Sequence, residues 1–201
     1  MSLRSAALVS TIVAAFALGA CATAPRASLY MLNGTEPVPA GEVSSLVLAI
    51  GPVDLPQYLD RPHIVSRLSD TRLRVDEFHR WGGALEEDIS RVLALQLGGR
   101  LGTRRIYSYP SRVVADTDYR VALDIRAFDG ALGGTVKLDV SWSVIDDRSS
   151  RVVKTGQARY QSTSGGPGYD AYAAALSDTV AQLGDDLAVA LGDLPTTGKA
   201  R

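Results

Sequence analysis

The fold of this chain depends on one stretch, LVLAIGPVDLPQYLDRP, which spans residues 46–62. Residues 46–50 are all apolar, and such a run predicts a central strand covered on both faces. Gly51 and Pro52 predict the end of that strand, and three prolines between positions 52 and 62 argue against regular structure there. The rest of the stretch is therefore predicted to be a loop that carries several apolar side chains: Val53, Leu55, Tyr58 and Leu59.

An apolar loop of this kind has two interpretations. It either packs onto its own domain or contacts a partner, and the sequence leaves both open. Tyrosine and arginine are favoured where a partner binds, because tyrosine offers a large contact area and arginine a planar fork of donors. The predicted contact residues are Leu55, Pro56, Tyr58, Leu59 and Arg61.

Strand and helix patterns surround this stretch in mixed order. Strands are predicted at residues 28–32, 63–68, 71–78, 105–109, 119–125, 136–144 and 151–161, with the turn between 119–125 and 136–144 at residues 129–134. One amphipathic helix is predicted to open at Gly82-Gly83 and to end near residues 98–100, and a second carries an apolar stripe from Tyr172 to Leu191. This mixture predicts an α/β fold with a mixed sheet and two long helices packed against it.

The N-terminus has the features of an export signal. Arg4 supplies a positive charge, and residues 6–18 form an uncharged apolar run that is too short to span a bilayer. The residues LGAC at 18–21 resemble a bacterial lipobox, in which the chain is cut before the cysteine and the new N-terminal cysteine carries lipid. Cys21 is the only cysteine. The alternative is an ordinary signal peptide with an incidental cysteine.

These features divide the chain into four predicted parts. They are a signal peptide at 1–20, a lipidated tether at 21–28, a single periplasmic domain at 29–192 and a disordered tail at 193–201. The formal net charge is −1, and removal of Arg4 changes it to about −2, which argues against nucleic-acid binding. Ala22 follows Cys21 where an aspartate would be expected for retention at the inner membrane, so the pattern resembles that of lipoproteins sorted to the outer membrane.

Residues suited to catalysis are scarce in the sequence. His63 and His79 are the only histidines, no HExxH or GxSxG motif occurs, and Cys21 is consumed by the lipid. We therefore predict no enzymatic activity, no metal and no cofactor other than the acyl lipid, palmitate included, on Cys21. Trp81 is predicted to cover the core beneath the hairpin, with ligand stacking as the alternative.

Three stretches together resemble the PqiC family, the ABC-type transport auxiliary lipoproteins. They are YML at 30–32, IGPVDLPQYLDRP at 50–62, and EFHRW at 77–81 running into LEEDISRVL at 85–93. The resemblance is close over residues 20–101. It implies a three-layer α/β sandwich held by lipid at the periplasmic face of the outer membrane. It also implies a role beside an ABC permease and an MCE-domain protein that move phospholipid or other apolar molecules between membranes.

Three functional hypotheses follow. In the first, the chain is a lipid-anchored accessory subunit that contacts the MCE-domain protein and performs no chemistry, with self-association left open. In the second, the domain itself holds a lipid in an apolar cavity lined by residues 119–125 and 136–144. The third, an envelope hydrolase, requires a nucleophile beside a base, and the sequence offers no candidate pair.

Overall fold

The computed structural model describes residues 26–34, 45–110 and 116–195. Cys21, the predicted signal peptide and most of the predicted tether lie outside this part. Within it, ten elements follow one another: β1 (Ser28–Tyr30), β2 (Leu48–Asp54), β3 (His63–Ser69), β4 (Arg72–Trp81), α1 (Leu85–Leu101), β5 (Ile106–Ser108), β6 (Tyr119–Gly130), β7 (Thr135–Asp146), β8 (Arg151–Thr163) and α2 (Tyr169–Gly192).

A five-stranded mixed sheet in the order β5-β2-β6-β7-β8 forms the centre of the domain. Strand β2 pairs in parallel with β5 and β6, whereas β6, β7 and β8 form the predicted antiparallel meander. Along β7, Val136, Leu138 and Val140 are fully buried, and the residues between them are partly exposed. This alternation gives the sheet one core face and one wet face, as strand geometry requires.

The two helices contact each other and cover the core face, with α1 over β2 and β5 and α2 over β7 and β8. Leu93 and Leu97 of α1 and Leu183 and Leu187 of α2 have no exposed surface. Burial of one such leucine side chain contributes roughly 1.5–3 kcal/mol. The predicted stripe from Tyr172 to Leu191 is therefore a core stripe, which agrees with the prediction of a long amphipathic helix.

Strand β2 does not stop at Gly51-Pro52, so the predicted end of this strand is wrong. The strand continues to Asp54, and its register with β6 shifts between Ile50 and Val53. On the other side, pairing with β5 ends at Ile50. Proline lacks an N–H donor and is tolerated at such irregularities. Gly51 supports the shift because it has φ +122°, a conformation that favours glycine.

Helix α1 begins at Leu85, three residues after the predicted opening at Gly82. Gly82 instead stays beside β1, because its N–H donates to the main-chain oxygen of Tyr30 at 2.7 Å. At the other end, α1 runs to Leu101, and Gly102 closes it in the left-handed conformation with φ 64°. Glycine at this position is the usual helix terminator.

A second, three-stranded sheet has the order β1-β4-β3, so the strands are divided between two sheets and not gathered in one. The two sheets meet where Tyr172 of α2 lies between them. Its hydroxyl donates to the main-chain oxygen of Val65 in β3 and accepts from the N–H of Gly130 in β6. Both sheets are mixed, and the predicted α/β class with two long helices packed on mixed sheets is confirmed.

Two further features concern the edges of this core. Trp81, at the end of β4, is 6% exposed and belongs to the core cluster, as predicted.

Beyond α2, the main-chain oxygen of Pro195 accepts a hydrogen bond from the hydroxyl of Tyr119, and the rest of the predicted tail lies outside the described residues. Neither described helix is both long enough and apolar enough to cross a membrane.

Candidate partner-contact loop

The loop between β2 and β3, residues 55–62, is held by its own main chain and by its neighbours. We call it the proline loop. The N–H of Leu59 donates to the oxygen of Pro56 at 2.8 Å, and the N–H of Trp81 donates to the oxygen of Pro62 at 2.7 Å. Leu59 is 3% exposed and lies in the core cluster. The proline loop is therefore fixed to the domain at its middle and at its end.

A buried carboxylate fixes the proline loop a third time. Asp129, at the end of β6, has no exposed surface, and Arg67 of β3 donates to it through Nε at 2.7 Å and through a terminal nitrogen at 2.8 Å. The hydroxyl of Tyr58 donates to the same carboxylate at 2.6 Å. We call Tyr58, Arg67 and Asp129 the clamp. It joins the proline loop, the small sheet and the large sheet.

The electrostatics of the clamp keep Asp129 ionised. Burial alone would raise the pKa of Asp129, but the hydrogen bonds from Arg67 and Tyr58 outweigh it, so the pKa lies below its usual value. Burial, reinforced by the hydrogen bond to Asp129, raises the pKa of Tyr58 well above its usual range. The clamp therefore stays a charge-assisted unit, and such bonds are stronger than neutral ones.

The structure places the predicted contact residues at different depths. Leu59 is buried, Leu55, Pro56 and Tyr58 are half-buried, and Arg61 is exposed. The outward surface of the proline loop is formed by Gln57, Asp60, Arg61 and Pro62. Loop packing and partner contact are therefore compatible, because the inward side chains fix the geometry in which the outward ones are presented.

The sequence did not single out Asp129, which was predicted to open the turn after β6. Its partners Arg67 and Tyr58 lie 62 and 71 residues away, so no local pattern joins them. A weak signal existed, since the alternation of β6 predicts a strand that could continue to Asp129. A carboxylate at the end of a strand needs a partner if it is buried.

A second cluster lies where β4 meets the start of α2. The ring of His79 stacks on that of Tyr169, with centroids 4.0 Å apart, and Tyr30 lies 5.7 Å from His79. Asp76 lies 2.7 Å from Nδ1 of His79 and accepts from the Tyr169 hydroxyl at 3.0 Å. This cluster joins the small sheet to α2, and the sequence analysis did not identify it.

The Asp76 cluster makes stability sensitive to acid. Burial raises the pKa of Asp76, but hydrogen bonds from His79, from the N–H of Phe78 and from Tyr169 outweigh it and lower the pKa to about 2. A lowered carboxyl pKa contributes stability above about pH 4, and this contribution is lost as the pH falls through 2. We expect the stability gap between wild type and Asp76→Asn to shrink between pH 5 and 2 in urea unfolding. A gap independent of pH would contradict this prediction.

The described residues contain no metal-ligand cluster of three or more His, Cys, Asp or Glu side chains. His63 lies 3.9 Å from Glu77 at the surface, and His79 is part of the Asp76 cluster. A surface cavity of about 620 Å³ lies on the wet face of the five-stranded sheet. Besides small and polar side chains, its lining includes two aspartates and an indole ring, those of Asp54, Asp124 and Trp142.

The fold and the loop define a class of protein: an α/β domain with a packed core that presents a fixed surface loop. Within that class, a family model described as the ABC-type transport auxiliary lipoprotein component matches residues 30–188. The chain belongs to this family. Membership makes it an auxiliary component of ABC-type transport and a member of a lipoprotein family. No curated protein has a sequence similar enough to match.

Solved structures resemble this chain in fold. A protein described only as uncharacterized has a TM-score of 0.67 and 17% identity, covering 83% of this chain and 99% of its own. A protein from Xanthomonas campestris has a TM-score of 0.66 and 20% identity, covering 81% of this chain and 93% of its own. At these identities the likeness concerns the fold alone.

Proposed function

We propose that this chain is a lipid-anchored periplasmic subunit that contacts the MCE-domain protein of an ABC-type intermembrane lipid transporter. In this proposal Cys21 carries the acyl lipid, the domain lies at the inner face of the outer membrane, and the chain is of the PqiC type. The subunit acts by protein–protein contact and performs no catalysis. Its contact surface is the proline loop, with Arg61 as the exposed cation.

The observation that carries the proposal is the family match over residues 30–188, read together with the clamp. Because the loop is held by buried Leu59 and by Tyr58, its main chain has little freedom to lose when a partner binds Arg61. Preorganisation of this kind increases affinity because fewer groups must be ordered when the partner arrives. The proline loop is therefore suited to repeated, specific contact.

The alternative, a domain that itself carries a lipid, has less support. The faces predicted to line a lipid cavity are packed, and Val121, Val136, Leu138 and Val140 have no exposed surface. Space for an acyl chain would require these side chains to separate from the rest of the core cluster. Contact with a partner requires no such rearrangement.

Replacement of Cys21 by serine tests the lipid anchor. We expect Cys21→Ser to abolish palmitate labelling and to release the chain into the soluble periplasmic fraction, because in this proposal the acyl chains on Cys21 are the anchor. Wild type should remain with the outer membrane after sucrose-gradient separation. Retained labelling would contradict lipidation at Cys21, and loss of labelling without release would show a second anchor.

A photo-crosslinking residue placed at Arg61 tests the contact. We expect it to form an adduct with the MCE-domain protein in cells, whereas the same residue at Val189, which is 70% exposed on α2, should form none. Adducts of equal yield at both positions, or none at Arg61, would contradict the proposed surface. Retention of labelled phospholipid by the purified chain would favour the carrier alternative.

A further inference from the structure

The outer face of the small sheet carries exposed apolar side chains beside its edge strand. Leu29 of β1 is 68% exposed, Met31, which directly follows β1, is 60% exposed, and Phe78 of β4 is 45% exposed. Leu29 lies opposite Arg80 in the β1–β4 register, and Phe78 precedes Arg80 by two residues. In an extended chain, side chains two residues apart such as those of Leu29 and Met31 share a face, and Phe78 is exposed beside them at the irregular part of β4 between Val75 and Arg80. We call Leu29, Met31, Phe78 and Arg80 the β1 patch.

The opposite face of the same strands is occupied, so the exposure of the β1 patch is one-sided. Tyr30 and His79 alternate with Leu29 and Arg80, and their rings meet each other and the ring of Tyr169. Within the described residues, the β1 patch is thus an apolar surface on the outside of a well-packed layer. Apolar surface grouped in this way marks a site of interaction.

We propose that the β1 patch rests on the surface of a phospholipid bilayer, an inference that relies on the lipid anchor of the proposed function. Cys21 precedes Ser28 by seven residues, so even a fully extended chain places β1 within about 25 Å of the lipidated cysteine. The small sheet is the part of the domain that the anchor reaches first. Among the large apolar side chains that are exposed in the described part of the chain, those of Leu29 and Met31 are the nearest to Cys21 in sequence.

The charges beside the β1 patch fit a phospholipid surface. Arg26 is exposed at the start of the described chain, and Arg80 donates Nε to the main-chain oxygen of Glu77, which leaves its terminal nitrogens for other acceptors. Guanidinium groups bind phosphate through paired donors. Glu77 lies beside them and is 3.9 Å from Nε2 of His63. Apolar side chains flanked by arginines are the composition of surfaces that lie at the headgroup boundary.

The geometry also relates the β1 patch to the proline loop. Arg80 of the central strand β4 lies opposite Leu29 on one side and opposite His63 on the other. His63 directly follows the proline loop, and strands are about 4.8 Å apart. A bilayer under the β1 patch would therefore place Arg61 close to the membrane surface.

Spin labels test this orientation in the full, lipidated chain. Because Cys21 is acylated in this proposal, Leu29→Cys or Phe78→Cys supplies a single reactive thiol, and Val189→Cys on α2 supplies a control at a position as exposed as Leu29. The labelled protein is reconstituted in vesicles of phosphatidylethanolamine and phosphatidylglycerol, and label collisions with oxygen and with a water-soluble nickel chelate are compared. We expect labels at 29 and 78 to gain oxygen collisions and lose nickel collisions several-fold relative to 189.

The outcomes separate the inference from the proposed function. Equal nickel accessibility at all three positions would overturn the bilayer contact, and so would dipolar broadening, which would mean that a second copy covers the patch. Mass spectrometry of the same sample shows independently whether Cys21 carries an acyl chain. Labels at 29 and 78 that lie in the bilayer on a chain with an unmodified Cys21 would support the bilayer contact and contradict lipidation at Cys21. Labels that stay in water on an acylated chain would support lipidation and contradict the bilayer contact. Adding Leu29→Glu should return the label at 78 to water if the contact is real.

Discussion

Asp129→Ala is expected to destabilise the domain by about 3 kcal/mol or more, since removal of one partner from a buried ion pair leaves the other uncompensated. Asp129 is fully buried and accepts three hydrogen bonds, two from Arg67 and one from Tyr58. We take the lower end of the range for buried pairs because the side chain of Arg67 is 26% exposed and can regain some hydration. Equilibrium urea unfolding measures the change.

Asp139→Ala is the matched control for this variant. Asp139 is also an aspartate paired with arginine, in this case with both Arg126 and Arg159, but those arginines are 45% and 63% exposed. Exposed ion pairs contribute about 0–1 kcal/mol, so the control should unfold nearly as wild type does. Equal losses for both variants would contradict the special role of the clamp.

Hydrogen exchange distinguishes local from global effects of Asp129→Ala. The N–H groups of Leu59 and Trp81 are held by bonds within or to the proline loop. If the clamp fixes the loop, the substitution should increase the exchange rate of these two amides, relative to wild type, more than it increases the exchange rate of the amides in α1. If protection falls equally everywhere, the clamp stabilises the whole domain without fixing the loop in particular.

Gly130→Ala is expected to cost about 3 kcal/mol or more, which is at the upper end for overpacking a rigid site. A methyl group at this position would lie 2.3 Å from the carbonyl oxygen of Thr135 and 2.4 Å from Cα of Val136. Both atoms belong to the main chain of β7 and cannot move without opening the β6–β7 hairpin. The shift would also disturb the hydrogen bond from Gly130 to Tyr172.

Gly165→Ala provides the comparison for Gly130. A methyl group on Gly165 meets nothing within 4 Å, so its effect should stay within about 0.5 kcal/mol, as for other surface changes. Thermal unfolding of both variants gives the contrast. A Gly130→Ala protein as stable as wild type would mean that the hairpin is more compliant than its close main-chain approach implies.

The sequence alone predicted those helices and strands in which apolar residues recur at a regular spacing. Val136, Leu138 and Val140 alternate with polar residues, and a period of two identifies a half-buried strand without knowledge of its neighbours. The continuation of β2 through Pro52 was missed because it depends on pairing. A proline is accepted there because β5 stops at Ile50 and β6 shifts its register.

The same reasoning separates what could be predicted of the candidate site from what could not. The proline loop was identifiable because its apolar residues stand among prolines in one continuous stretch. The clamp and the separate small sheet were not, since β1 pairs with a strand about fifty residues later and Asp129 meets Arg67 across 62 residues. Contacts between distant segments leave no periodic trace in a single sequence.

The clamp also determines how load would pass through the molecule. A pull on the N-terminal segment enters at β1 and is carried to β4 and β3 by sheet pairing. From β3 it reaches the large sheet through Arg67 and Asp129 and through the hydroxyl of Tyr172. Tension between the N-terminal segment and the large sheet would therefore be borne by buried polar bonds together with the shared apolar core, which resists a gradual extension of the domain.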